Sequence, residues 1–72
     1  MRVAYYSEND SLYIDFVDRP GTDSQEVRPG VVLDFDAEGH LVGIDIDHAS
    51  KVIDLTRLDI ESLPVSSVGL VA

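Results

Sequence analysis

Asp34, Asp36, Glu38, Gly39 and Asp45 fall at relative positions one, three, five, six and twelve. Those are ligand and glycine positions of an EF-hand calcium loop, with Asp in place of the usual final Glu. The chemistry would be oxygen coordination of a hard divalent cation. An EF-hand, however, needs a helix on each side of its loop. Here the flanks, VVLDF and LVGIDI, are β-branched and alternate with a period of two. An Asp at position twelve is also shorter than Glu and coordinates less well. The expectation is a β-hairpin: Asp36 and Glu38 serve the turn, Gly39 takes the positive backbone angle, and Asp34 and Asp45 point outward.

A looser cation site is a separate candidate. Asp15, Asp34 and Asp45 should share the face opposite the apolar one, where carboxylates on adjacent strands can converge on Ca²⁺ or Mg²⁺. The competing expectation is a solvated acidic face, so Asp34, Asp36 and Asp45 stand as the weak metal candidates and no cofactor is expected. His40 and His48 add imidazoles, which act in acid–base chemistry or bind metal. His40 follows a turn and His48 opens a helix, so their spacing does not bring them together. The chain has no HExxH, no GxSxG and no phosphate-cradling glycine loop. Ser7, Ser11, Ser24, Ser50 and Ser62 read as turn or cap residues rather than nucleophiles. Paired carboxylates for glycoside hydrolysis need a cleft, which a domain this small scarcely builds alone. The expectation is therefore a protein without catalytic activity.

Seventy-two residues make a single domain, 1–72, with a thin margin of stability. The chain has no cysteine, so neither a disulfide nor a thiolate-bound metal staples it. Hydrophobic residues make up 44% of it, too many for a disordered chain. Fourteen acids against five Lys and Arg give a formal charge of −9. That field repels phosphate backbones and argues against nucleic-acid binding. It favours a basic protein partner or cations. No apolar run approaches the roughly 20 residues of a membrane helix, and MRVAYYSEND lacks a signal-peptide pattern. No membrane association is expected, and the expected location is the cytoplasm.

The elements that position these residues follow from periodicity. Val3 and Tyr5, then Leu12, Ile14 and Phe16, alternate with more polar neighbours. Setting Val3 opposite Ile14 and Tyr5 opposite Leu12 leaves Ser7–Asp10 as the connecting loop. Asp18–Ser24 reads as a loop around Pro20-Gly21. Pro29-Gly30 reads as the entry to the third strand or a bulge at its start. The third strand is Val31–Phe35 and the fourth Leu41–Ile46. A four-residue loop, Asp36–Gly39, pairs Leu33 with Val42 and Val31 with Ile44, keeping the apolar set on one face. Ala49, Val52 and Ile53 are spaced as in a helix over His48–Leu55, with Asp47 as N-cap. Leu58–Leu63 is expected to form a further turn, which Pro64 ends.

The fold class expected is α+β: a small antiparallel sheet of two hairpins, about four strands, with one short helix. The tail PVSSVGLVA carries no charged side chain. It is expected to add a fifth strand, to its own sheet or to a neighbour's. Tyr6 and Tyr13 fall on the polar face with Ala4 and Val17, an apolar patch of the kind that marks interfaces. Tyr6, Tyr13, Val65, Val68 and Leu70 are therefore the interface candidates, and a homo-oligomer, with a dimer favoured, is the expected assembly.

Together, Tyr5-x-x-x-x-Asp10-x-Leu12-Tyr13-Ile14, Glu26, Pro29-Gly30-Val31, Asp34-x-Asp36-x-x-Gly39-x-x-Val42-Gly43-Ile44 and Ala49-Ser50 resemble a widespread bacterial and archaeal family, domain of unknown function 2283. The resemblance covers roughly the first 50 residues. It implies a small antiparallel sheet with a short helix and no established chemistry. Through the toxin-like neighbours attributed to some members, it also implies an antitoxin-like role, and the charge of −9 makes a small basic protein the expected partner of such a regulator. Three functions are thus in play: a self-associating interaction module, that acidic regulator, and a carboxylate-based cation-binding domain.

Overall fold

The computed structural model describes residues 1–59, 61 and 69–71. Its strands are β1 (Arg2–Tyr6), β2 (Ser11–Asp15), β3 (Asp23–Arg28), β4 (Val31–Phe35), β5 (Leu41–Ile46) and β6 (Gly69–Val71), and its helix is α1 (Ala49–Val52). They form a six-stranded sheet in the order β3-β4-β5-β2-β1-β6. Every pairing is antiparallel except that of β6 with β1. No helix among the described residues is long and apolar enough to cross a membrane.

The first hairpin follows its alternation. Val3 faces Ile14 and Tyr5 faces Leu12, and the turn between them ends on Asp10, whose φ of 54° is left-handed. Asp tolerates that region because its short polar side chain bonds locally. β2 then pairs with β5, setting Leu12 against Ile46 and Ile14 against Ile44. These pairings put Val3, Tyr5, Leu12, Ile14, Ile44 and Ile46 on one face, termed the inner face below.

The expected sheet of two hairpins, with a fifth strand from the tail, needs correction at one edge. Asp23–Arg28, DSQEVR, is a strand, which takes Asp23 and Ser24 from the expected Asp18–Ser24 loop. It lies at the sheet edge with all six residues exposed, so it lacks the apolar alternation that marks half-buried strands. Pro29-Gly30 is the hairpin turn between β3 and β4, with Gly30 at φ 81°, as a type II turn requires. The bulge lies one strand earlier than expected, at Val27, between the pairs Glu26–Val32 and Arg28–Val31. At the other edge, Gly69–Val71 of the tail joins its own sheet beside β1.

The expected register of β4 and β5 is also corrected. Leu33 pairs with Ile44 and Val31 with Ile46, and the loop is Asp36–His40. The shift is by two residues, so Ile44 and Ile46 still face inward with Val31 and Leu33, while the expected inward Val42 does not. Between the pairs Asp34–Gly43 and Phe35–Leu41 the register slips by one, leaving Val42 as an extra residue. The Val42 carbonyl, outside the β4–β5 ladder, accepts the Phe16 N–H at 2.8 Å. The Val42 side chain is buried near Gly21 and Asp34, on the outer face and not with Ile44.

The expected helix over His48–Leu55 is one turn, Ala49–Val52. Asp47 does not cap it. His48 occupies the N-cap position in a left-handed conformation and supplies no side-chain bond. Ala49 is fully buried against Leu12 and Ile46, with Val3, Tyr5, Ile14, Val31 and Ile44 packed around that cluster. Half of the expected turn at Leu58–Leu63 falls outside the described residues.

Candidate functional site

Most of the conspicuous carboxylates are bound into the fold. Asp36 is buried at the start of the β4–β5 loop. Its Oδ1 accepts the backbone N–H groups of Glu38 and His40, both at 2.9 Å, and its Oδ2 accepts Arg19 at 3.0 Å. The His40 N–H, assisted by the Glu38 N–H and by Arg19, holds this carboxyl below its usual range against the opposing effect of burial. Gly39 closes the turn at φ 84°, in the positive region expected of it. The loop therefore uses both Asp36 oxygens, and its flanks are strands, which removes the EF-hand reading.

On the outer face, Tyr13 donates its hydroxyl to Asp34 Oδ2 at 2.8 Å. The ring crosses Gly43: a Cβ there would overlap the Tyr13 hydroxyl and lie 3.0 Å from the Ile14 carbonyl. Burial, then the bond to Asp34, then the charges of Asp34, Asp15 and Asp45, push the Tyr13 phenol up to about 12. Burial, followed by the charges of Asp47 and Asp34, raises the Asp45 carboxyl. Asp15, Asp34 and Asp45 thus share the outer face as expected. Asp15 is engaged by Arg2 at 3.0 Å and Asp34 by Tyr13. Among the described residues, no three His, Cys, Asp or Glu side chains gather as a metal ion requires. His40 and His48 stand at opposite ends of the six-residue β5 and are not brought together.

A third polar cluster joins the two ends of the family-like sequence. Tyr5 donates to Asp10 Oδ1 at 2.7 Å, and Ser50 donates through Oγ to Asp10 Oδ2, also at 2.7 Å. The Ser50 N–H reaches the same carboxylate and the Ala49 N–H bonds the Asp10 carbonyl at 2.8 Å. Asp10 thereby caps a helix it does not adjoin. Sequence reasoning placed Asp10 in a turn and sought the cap at Asp47. The available signal was that Tyr5, Asp10 and Ala49-Ser50 all stand in the resemblance without a local partner.

The remaining feature is apolar. Ile53, Leu55 and Leu58 arch over Val3, Tyr5, Leu12 and Ile14, enclosing a groove of about 470 Å³. Beyond it, Leu33, Phe35 and Ile44 lie half-buried and Leu41 is exposed. The expected outer-face patch is smaller than its composition suggests. Ala4 is buried and Tyr13 is half-buried against Gly43, leaving Tyr6 and Val17 exposed. Leu70 is 68% exposed on β6. Val65 and Val68 lie outside the described residues.

Neither the curated proteins nor the solved structures contain a match to this chain. One family model matches, over residues 2–50, and spans the first five strands, the Asp36 loop and the Asp10–Ser50 cap. On that match, the chain belongs to the family described as protein of unknown function (DUF2283).

Proposed function

We propose that this protein is an interaction module that self-associates, as a homodimer, and carries out no catalysis. The observation behind this reading is the incomplete second layer over the inner face. A sheet with one apolar face is stable when another layer covers it. Among the described residues, the cover is a four-residue helix and residues 53–58 after it. Among the inner-face strand residues only Leu12 and Ile46 are buried, while Val3, Tyr5, Ile14, Val31, Leu33, Phe35 and Ile44 keep partial exposure. A second protein surface would complete the layer. Sedimentation velocity on the purified chain at micromolar concentration tests the reading. A species of twice the chain mass supports it, and a monomer throughout the range refutes it.

A second reading, an acidic regulator that holds a small basic protein, is favoured by the charge of −9. Its test is co-purification from the native host, where a heteromeric mass containing a basic chain replaces the homodimer.

A further inference from the structure

We propose that residues 53–59 and β6 form an exchangeable strap, and that in the homodimer each copy lays this strap onto the sheet of the other. This rests on the self-association reading and names the segment that carries it.

The chain divides just after the start of α1. Up to Ser50, polar side chains tie distant elements together: Arg2 to Asp15, Asp10 to Ser50, Tyr13 to Asp34 and Arg19 to Asp36. The family model ends at that same residue 50. Beyond it the bonding changes. Among the described residues, each side-chain hydrogen bond or ion pair of residues 53–59 stays inside that segment, Thr56 with Asp54 and Arg57 with Asp59. The strap meets the sheet in two other ways. Ile53, Leu55 and Leu58 lie over β1 and β2, and β6 runs parallel to β1 through three residue pairs.

These contacts do not depend on which chain supplies the strap. A groove and strand edge that accept their own strap accept the identical strap of a second copy, which is the economy of exchanging an element between protomers. The strap is also the part that opens most readily. Ile53, Leu55, Leu58 and Leu70 remain exposed, and segments with few buried apolar contacts sit at the low end of a fold's local stability.

The junction suits a hinge. α1 is a single turn, and Ile53, which closes it on the Ala49 carbonyl, is extended at φ −133° and ψ 163°. On the near side of that junction, Asp10 fastens Ser50 to the first hairpin. A change of backbone angle at Ile53 therefore redirects the strap while Ala49 stays in the core. Each exchanged strap leaves its own core at Val52 and ends beside β1 of the other copy, which draws the two inner faces together. Simple strand addition is less suited to the far edge, where β3 carries Asp23, Glu26 and Arg28 and a bulge at Val27. Edge charges and bulges discourage such pairing.

The pairing of β6 with β1 supplies the test. Val3 and Leu70 are register partners. Neighbouring strands run about 4.8 Å apart, inside the span of about 4.4–6.8 Å that a disulfide bridges, and the chain has no cysteine of its own. Val3→Cys and Leu70→Cys are placed on separate, differently tagged chains, which are unfolded together, refolded at micromolar concentration and oxidised. Exchange predicts a disulfide-linked pair carrying both tags. The double variant, with both thiols on one chain, should run at twice the chain mass on a denaturing gel when oxidised as a dimer, and at the chain mass when diluted to monomer first. If Val3→Cys does not fold, the exposed pair Arg2→Cys and Gly69→Cys decides. A wild-type dimer whose separate chains do not link, while the double variant closes within one chain, overturns the exchange and leaves self-association standing. A double variant that forms no disulfide in either state overturns the exchange as well. A wild-type monomer overturns both readings.

Discussion

The Asp10 carboxylate receives the Ser50 hydroxyl at 2.7 Å across 40 residues of chain. Asp10 ends the β1–β2 turn, and Ser50 lies in the first turn of α1. The bond therefore fastens the helix to the hairpin, and with it Ala49 to the core. The bare N–H groups at a helix start favour a negatively charged acceptor, and here that acceptor comes from a distant turn. Asp10→Ala should lower the thermal midpoint by about 5 °C, the scale of a lost cap in a domain this small. Asp10→Asn, which keeps an acceptor, should lose less. The contrast is measured by circular dichroism melts at neutral pH.

The same carboxylate makes stability depend on pH. The Ser50 hydroxyl and then Tyr5 hold Asp10 below its usual range, and the His40 backbone N–H leads the depression of Asp36. A depressed folded value means the unfolded chain takes up protons first. The stability from both groups is present above the unfolded value of about 4 and is lost as pH falls through the depressed folded values. Asp45 has the opposite sign, because burial raises its folded value. Its ionisation weighs against the fold as pH rises through that raised value. Urea unfolding should show stability falling below about pH 4. Asp45→Asn should stabilise the protein at pH 7 by less than about 1 kcal/mol, the partly exposed carboxylate being screened by solvent.

These long-range bonds also mark where sequence reading stops. The β1–β2 register was legible because Val3, Tyr5, Leu12 and Ile14 can face one way only when paired as they are. β3 was not legible, since an edge strand exposed along its length carries no apolar period. Parity fixed Ile44 and Ile46 as inward but misplaced Val42 and was blind to the slip of two, because a bulge at Val42 breaks the alternation on which parity rests. At the candidate site the positions of Asp34, Asp36 and Asp45 were legible as turn and outer-face residues. Their partners were not: Tyr13 and Arg19 meet Asp34 and Asp36 through the third dimension, 21 and 17 residues away.

Gly43 tests the outer-face arrangement. A methyl group there collides with the Tyr13 hydroxyl and crowds the Ile14 carbonyl. Gly43→Ala should displace the ring, break its bond to Asp34 and destabilise the fold by about 1–3 kcal/mol. The displaced phenol should titrate below the value of about 12 that burial and Asp34 confer. Ultraviolet phenolate titration reads that change separately from stability, and Tyr13→Phe identifies the signal. A Gly43→Ala variant of wild-type stability with an unshifted phenol titration would refute the collision.

The charge of −9 on each copy sets the sign of the salt response. Two like-charged chains repel at low ionic strength, and salt screens that repulsion over the Debye length, which shrinks from about 30 Å at 0.01 M to about 3 Å at 1 M. An apolar contact across the inner face contains no charge pair to weaken. The homodimer dissociation constant should therefore fall several-fold as salt rises from about 0.05 M to about 0.5 M, as measured by analytical ultracentrifugation. An acidic regulator on a basic partner behaves in the opposite way, since its attraction is what salt screens. A homodimer that loosens with salt would require opposite charges across the interface, such as Arg19 or Arg28 against a carboxylate of the second copy, and would move the contact from the apolar face to the charged margin around β3.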